Sequence, residues 1–195
     1  MNAADIDSNG PVVDRYVRLI HAGLIISAIA ALISSEWSGD YKNTLHLGFT
    51  VHMWCGIATA FFLSLRILYG LLGPASVRFM EWVPYTRERW AWVIEDLRGL
   101  LRARLPDRPT HAGLAGAVQA AGLVIFLFMA FTGTLMALYL EPGQKATGLI
   151  SLAKEVHEAF SNLVYVYLVL HVGAVVAHSA LGHPVWQRMF VRRPN

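Results

Sequence analysis

The chain is poor in cysteine and in charge, and each shortage excludes a class of protein. Cys55 is the only cysteine among 195 residues, which excludes an internal disulfide, a thiolate metal cluster and the C-x-x-C-H motif that attaches haem covalently. Charged residues make up 15% of the sequence and hydrophobic residues 55%. This composition is too apolar for a soluble domain, whose surface needs more charged residues. No Ala-x-Ala-like cleavage site follows the first apolar run, so this run is expected to stay in the membrane.

Long apolar segments account for most of the chain. Four of them are long enough to cross a bilayer as helices, at about residues 14–34, 44–73, 113–140 and 155–182. The predicted fold is therefore all-α, an integral membrane four-helix bundle. Four spans leave no room for a separate soluble domain, so residues 1–195 are expected to form one membrane domain.

The connection between the second and third spans is too long for a simple turn. It contains TRERWAWVIEDLRGLLRAR, in which apolar residues recur along one side of a helix. These residues are Trp90, Val93, Ile94, Leu97 and Leu101. The pattern predicts an interfacial amphipathic helix on the anionic inner leaflet.

Basic residues are distributed unevenly among the connections, and basic connections prefer the cytoplasm. One side has twelve arginines: Arg15, Arg18, Arg78, Arg87, Arg89, Arg98, Arg102, Arg104, Arg108, Arg188, Arg192 and Arg193. The other side has only Lys42, Lys145 and Lys154. Both termini and the middle connection are therefore expected to be cytoplasmic, and the net charge of +3 is attributed to topology and not to nucleic-acid binding.

Histidines inside apolar spans are the candidate functional residues, because a polar side chain in a bilayer is costly. His157 and His171 are fourteen residues apart in the fourth span, so they share one helix face about 21 Å apart. His52 lies early in the second span and matches the depth of His157 near the outer surface. His21 lies early in the first span and matches His171 near the inner surface.

Two histidine pairs at two depths predict two bis-histidine sites. A pair of neutral imidazoles in an apolar slot suits haem iron, whereas zinc normally takes four protein ligands. A histidine-based membrane metal carrier stays open as an alternative. His178, on the same face as His171, is an alternative partner for His21. The third span has no histidine and is expected to be a wall of small residues that donates no ligand.

Three further residues are candidates for cofactor binding. Gly56 follows His52 by one turn, where the absence of a side chain allows a flat ligand to approach. Arg66 is fourteen residues after His52 and Arg18 is three before His21, and each arginine needs an anion. A cofactor carboxylate and a lipid phosphate both meet that need. His46 points away from His52 and is expected at the interface.

At these positions the sequence resembles the bacterial cytochrome b561 family, whose fold is shared by the b-type cytochrome subunit of nickel-iron hydrogenases. The resemblance covers nearly the whole chain. It rests on R-x-x-H at Arg18 and His21, H-x-x-x-G at His52, R-x-x-x-G at Arg66, T-G at Thr132, and SLAKEVHEAFSNLVYVYLVLHVGAVVAH in the fourth span.

The resemblance implies two b-type haems and electron exchange with quinone in the bacterial inner membrane. By position, His21 and His171 would hold one haem, and His52 and His157 the other. Family members differ in their donor: some receive electrons from a periplasmic dehydrogenase or hydrogenase, and smaller ones oxidise superoxide and reduce ubiquinone. This chain departs from the smaller members in its long arginine-rich connection, and His111-Ala-Gly stands where longer members often carry His-Asn-Pro.

The expected function is transfer of electrons between a periplasmic-side donor and the quinone pool of a respiratory chain. A stand-alone superoxide:quinone oxidoreductase is the alternative within the family. The sequence leaves open whether the chain acts alone or as a subunit, and therefore whether it is itself a quinone-linked oxidoreductase.

Overall fold

The structure is a computed structural model that describes residues 13–38, 47–106, 108, 112–140, 145–182 and 185–190. Several residues singled out above lie outside these ranges: Lys42, His46, His111, Arg192 and Arg193. The described secondary structure is entirely helical, and four helices are long and apolar enough to cross a membrane. The all-α, four-span prediction is therefore confirmed.

The helices follow the predicted order along the chain. The four long ones are α1 (Arg15–Ser35), α2 (Leu47–Leu72), α5 (Gly113–Tyr139) and α6 (Gly148–Ala180). Between α2 and α5 lie a 3₁₀ turn (Ala75–Val77), α3 (Phe79–Trp82) and α4 (Arg87–Leu100), and α7 (Gln187–Phe190) follows α6. The amphipathic helix predicted in the connection is α4, whose first turn is capped by the Thr86 hydroxyl accepting from the Arg89 amide at 3.3 Å.

Large apolar side chains on the long helices are exposed to the surroundings. Ile26 is 72% exposed, Leu72 78% and Val169 72%, values that would be costly in water. In a bilayer these side chains contact lipid instead. The exposure therefore agrees with a multi-pass membrane protein.

The start of α6 differs from the prediction. The helix begins at Gly148, seven residues before the predicted start of the span at residue 155. The residues before 155 include Gly148, Ser151 and Lys154, and Lys154 pairs with Glu158 one turn later, which supports the helix. A helix can continue beyond the apolar layer when its polar residues form such pairs, and hydropathy alone cannot locate its end.

The contacts divide the chain into two compact units. The first, here called the His52 unit, comprises Leu19–Tyr69 and Leu123–Tyr165. The second, here called the arginine-rich unit, comprises the described parts of Met1–Arg18, Gly70–Gly122 and Val166–Asn195.

Close packing in the His52 unit depends on small and hydroxyl side chains. The buried Thr59 hydroxyl on α2 donates to the Ser27 hydroxyl on α1 at 3.1 Å. Gly23 on α1 leaves room for the Phe62 ring, which a Cβ at that position would overlap. Leu63 is only 2% exposed. This contact of small and polar residues is typical of helices that pack within a membrane.

Asp96 ties α4 to the start of α5 in the arginine-rich unit. Its buried carboxylate accepts from the Leu114 amide at 2.8 Å and from Arg108 Nε at 2.5 Å. Gly113 adopts a positive φ of 59°, and a Cβ there would overlap the Asp96 carboxylate. The hydrogen bond that Arg108 donates to Asp96 is the main cause that raises the pKa of Arg108. One carboxylate therefore caps a membrane helix and holds an arginine.

Replacing Asp96 with asparagine is expected to destabilise the protein by about 1–2 kcal/mol, because a hydrogen-bonded charge pair with a buried member is lost. The matched control is Glu95→Gln, which removes a partner of the same Arg108 whose side chain is 73% exposed and so should cost less than about 1 kcal/mol. Thermal unfolding in detergent measures both, with an expected decrease of about 3–6 °C for Asp96→Asn. Equal midpoints for the two variants would contradict the role given to Asp96.

Candidate functional site

His52 on α2 and His157 on α6 lie side by side in the His52 unit. Their ring centres are 6.2 Å apart and their ring planes are nearly perpendicular, at 89°. Both residues are half-buried in apolar helices. The structure thus brings together two of the four histidines predicted as ligands.

The orientation of His52 is fixed by α1. Its Nδ1 lies 2.8 Å from the carbonyl oxygen of Ala31. A carbonyl oxygen only accepts hydrogen bonds, so Nδ1 carries the ring proton and donates it. The second ring nitrogen, Nε2, is then left with a lone pair for a metal.

The orientation of His157 is fixed by α5 through Thr132. The buried Thr132 hydroxyl donates to the Phe128 carbonyl at 2.6 Å, and His157 Nδ1 lies 2.9 Å from the same hydroxyl oxygen. Because a threonine hydroxyl has one proton, and the carbonyl receives it, the hydroxyl accepts from His157 Nδ1. His157 therefore has the same tautomer as His52, with Nε2 available.

The role of the third span was underestimated from the sequence. We expected α5 to be a wall, and it donates no histidine, but Thr132 and Gly133 both contact His157. A Cβ at Gly133 would lie 3.2 Å from His157 Cε1, so glycine leaves the ring room to lie against α5. The Thr-Gly pair was visible in the sequence. Only the structure shows that Thr132 contacts His157, which lies 25 residues later in the chain.

The spacing of the two imidazoles agrees with two ligands of one haem iron. Two imidazoles on opposite sides of a metal, each with a bond of about 2 Å and a nitrogen about 1 Å from its ring centre, have ring centres about 6 Å apart. The observed 6.2 Å matches this value. Gly56, one turn from His52, has no atom within 4 Å of a notional Cβ, so a flat group finds space there.

The donor set favours haem over a bare metal ion. Among the described residues, no group of three or more His, Cys, Asp or Glu side chains is arranged to hold a metal. Zinc would need such a group, whereas the iron of a haem takes only two axial ligands from the protein.

His171 lies on α6 in the arginine-rich unit, where its ring stacks on Tyr167 with centres 5.4 Å apart and planes at 15°. The Tyr167 ring in turn packs against Gly122 of α5, where a Cβ would overlap it. Gly122 thus provides the space that allows an aromatic side chain to orient His171. His21 is half-buried on α1 and belongs to the other unit. The pairing of His21 with His171 stays a prediction.

The remaining candidates lie near helix ends or within α2. Arg18 Nε donates to the Met189 carbonyl at 2.8 Å, which holds the C-terminal segment against α1. Arg66 is half-buried on α2. His178 is half-buried in the last turn of α6. The cofactor contacts assigned to these residues also stay predictions.

Comparison with known proteins identifies the family of the chain. No curated protein and no solved structure matches the chain significantly. A family model described as prokaryotic cytochrome b561 matches residues 12–192, which is nearly the whole sequence. The chain therefore belongs to the prokaryotic cytochrome b561 family of membrane b-type cytochromes, which bind haem and transfer electrons.

Proposed function

We propose that this membrane cytochrome binds two b-type haems and passes electrons between a donor on the periplasmic side and the quinone pool of a respiratory chain. One observation carries the proposal: the ring centres of His52 and His157 lie 6.2 Å apart, and the Nδ1 of each ring is hydrogen-bonded to a neighbouring helix. A haem bound there supplies the one-electron chemistry.

The protein's part is to hold and isolate this pair. The Ala31 carbonyl and the Thr132 hydroxyl keep the two imidazoles in one tautomer, in which Nε2 would be available to hold the iron. The apolar side chains of the surrounding helices exclude water, and the open space beside Gly56 accommodates the flat group. Because these contacts already hold the two rings in place, the side chains need to move little when the charge at the site changes.

The second haem is assigned to His21 and His171, as the depths of these residues in the sequence predict. Tyr167 stacked on His171 supports this assignment, because an ordered ring is a better ligand than a mobile one. His178 is the alternative ligand. Arg18 and Arg66 are proposed to contact acidic cofactor groups or the quinone near this second haem.

The membrane and the orientation follow from charge. The twelve arginines on one side and three lysines on the other support the bacterial inner membrane with both termini in the cytoplasm. The His52–His157 pair would then lie toward the periplasm.

The test is a reduced-minus-oxidised spectrum of the purified protein with haem counted per chain as the pyridine haemochrome. We expect two b-type haems, both reduced by a soluble quinol and reoxidised by the quinone. Absence of haem would contradict the whole proposal, and haem that no quinol or quinone affects would contradict the quinone assignment. Superoxide supplied as the donor distinguishes the stand-alone oxidoreductase from a subunit that needs a protein donor.

A further inference from the structure

A cavity of about 580 Å³ lies at the end of α4, in the arginine-rich unit. Among the residues that the structure describes, its charged lining consists of four arginines and two carboxylates: Glu95, Asp96, Arg98, Arg102, Arg104 and Arg108. Neither haem site uses these residues. The cavity has more positive than negative charge and is open to the surroundings.

The excess charge belongs to three arginines. Arg108 binds both carboxylates, Asp96 through Nε at 2.5 Å and Glu95 through Nη2 at 2.6 Å. Arg98, Arg102 and Arg104 form no ion pair with any residue that the structure describes. Like charges that line one cavity repel one another, so an anion bound among them is stabilising.

The backbone brings the three arginines together. After α4 ends, Ala103 adopts the left-handed conformation with φ of 56°, unusual for a residue other than glycine. The Arg104 amide then donates to the Gly99 carbonyl at 2.9 Å, which turns the chain back beside the last turn of α4. This turn places Arg104 next to the helix that carries Arg98 and Arg102.

An apolar stripe runs along the same helix. Four residues at helical spacing are exposed: Trp90 by 51%, Ile94 by 46%, Leu97 by 50% and Leu101 by 82%. Such a stripe beside a cationic cavity matches an amphiphile that has an anionic head and hydrocarbon chains. A free phosphate ion would satisfy the arginines but not the stripe.

We propose that this cavity binds the phosphate of an anionic phospholipid, with Arg98, Arg102 and Arg104 around the headgroup and the acyl chains along the stripe. Asp96 also lines the cavity and bonds to the first turn of α5, so the lipid would lie next to the start of a membrane helix. The proposal is independent of the haem assignments. It also gives the connection between α2 and α5 a binding role.

Native mass spectrometry of the full haem-loaded protein with dioleoyl phosphatidylglycerol tests this site. The double variant Arg102→Gln/Arg104→Gln should bind this lipid about 30-fold more weakly, at about fivefold for each arginine near a phosphate. The control is Arg87→Gln, which removes one positive charge from the exposed start of α4 outside the cavity and should bind within about twofold of wild type. Dioleoyl phosphatidylcholine should bind weakly to all three proteins.

Three results would overturn the proposal. A weakening of about fivefold by Arg87→Gln, equal to the effect expected of one cavity arginine, would mean attraction by total charge. Unchanged binding by the double variant would mean that the lipid binds elsewhere. Displacement of the lipid by excess inorganic phosphate would identify a free-phosphate site. If the double variant loses haem, Arg102→Lys/Arg104→Lys replaces it; this variant keeps the charge and should bind within about fivefold of wild type.

Discussion

Replacing His157 with leucine is expected to remove one of the two haems and to leave the other. His157 is half of the pair whose ring centres are 6.2 Å apart, and an iron that loses one axial imidazole in an apolar slot is held weakly. The pyridine haemochrome should fall from two haems per chain to about one, and the reduced spectrum should lose one of its two components. His52→Leu should give the same remaining spectrum, because it breaks the same pair.

Two other histidines of α6 serve as comparisons. His171→Ala should also leave one haem, but the remaining spectrum should be the component that His157→Leu loses. His178→Leu changes a histidine in the last turn of the same helix and should retain two haems. If His178→Leu loses a haem while His171→Ala keeps both, the alternative ligand is correct. If His157→Leu retains two haems, the proposed site is wrong.

Replacing Thr132 with valine is expected to raise the midpoint potential of the haem held by His157 by about 20–40 mV and to weaken haem retention about 10–100-fold. The Thr132 oxygen accepts from Nδ1 of His157, which makes the imidazole a stronger donor to ferric iron. Valine removes this acceptor, so the ferric state loses stabilisation. The expected shift in midpoint potential corresponds to a hydrogen bond whose free energy differs by about 0.5–1 kcal/mol between the two oxidation states.

Redox titration of the detergent-solubilised protein measures this shift. Thr132→Ser keeps the hydroxyl and should restore a potential near that of wild type. Thr59→Val is the control, because Thr59 is also a buried hydroxyl of the His52 unit but bonds to Ser27 and the Cys55 carbonyl. A potential that does not change in Thr132→Val, or that changes equally in Thr59→Val, would mean that Thr132 does not position the ligand.

Features that depend only on the residues along one helix, such as its ends and the depth of its histidines, could be predicted from the sequence. The ends of α1 and α5 agree with the prediction to within one residue, because hydropathy changes sharply there. The proximity of His52 and His157 was also predicted, because both lie early in spans that run in the same direction. By contrast, α6 begins seven residues before the predicted span, because hydropathy locates the apolar layer and does not show that a polar pair such as Lys154 and Glu158 continues the helix beyond it.

Contacts that depend on the rotation of one helix against another could not be predicted. Thr132 bonds to His157 only because α5 turns its hydroxyl toward α6, and an apolar span with many small residues gives no sign of that angle. The bond from Leu114 to Asp96 joins residues eighteen positions apart through an irregular connection. Periodicity within an element contains no information on either contact.

The fully buried polar residues that the structure describes in the His52 unit have one chemical property in common. Ser27, Ser34, Thr59 and Thr132 are all alcohols, and each donates to or shares a bond with a backbone carbonyl of its own helix. An alcohol neither gains nor loses a proton at physiological pH, so none of these groups can neutralise a charge that arrives beside them. We therefore expect that these groups take up no proton when an electron arrives at this depth. Movement of the electron along the membrane normal would then contribute directly to the transmembrane voltage.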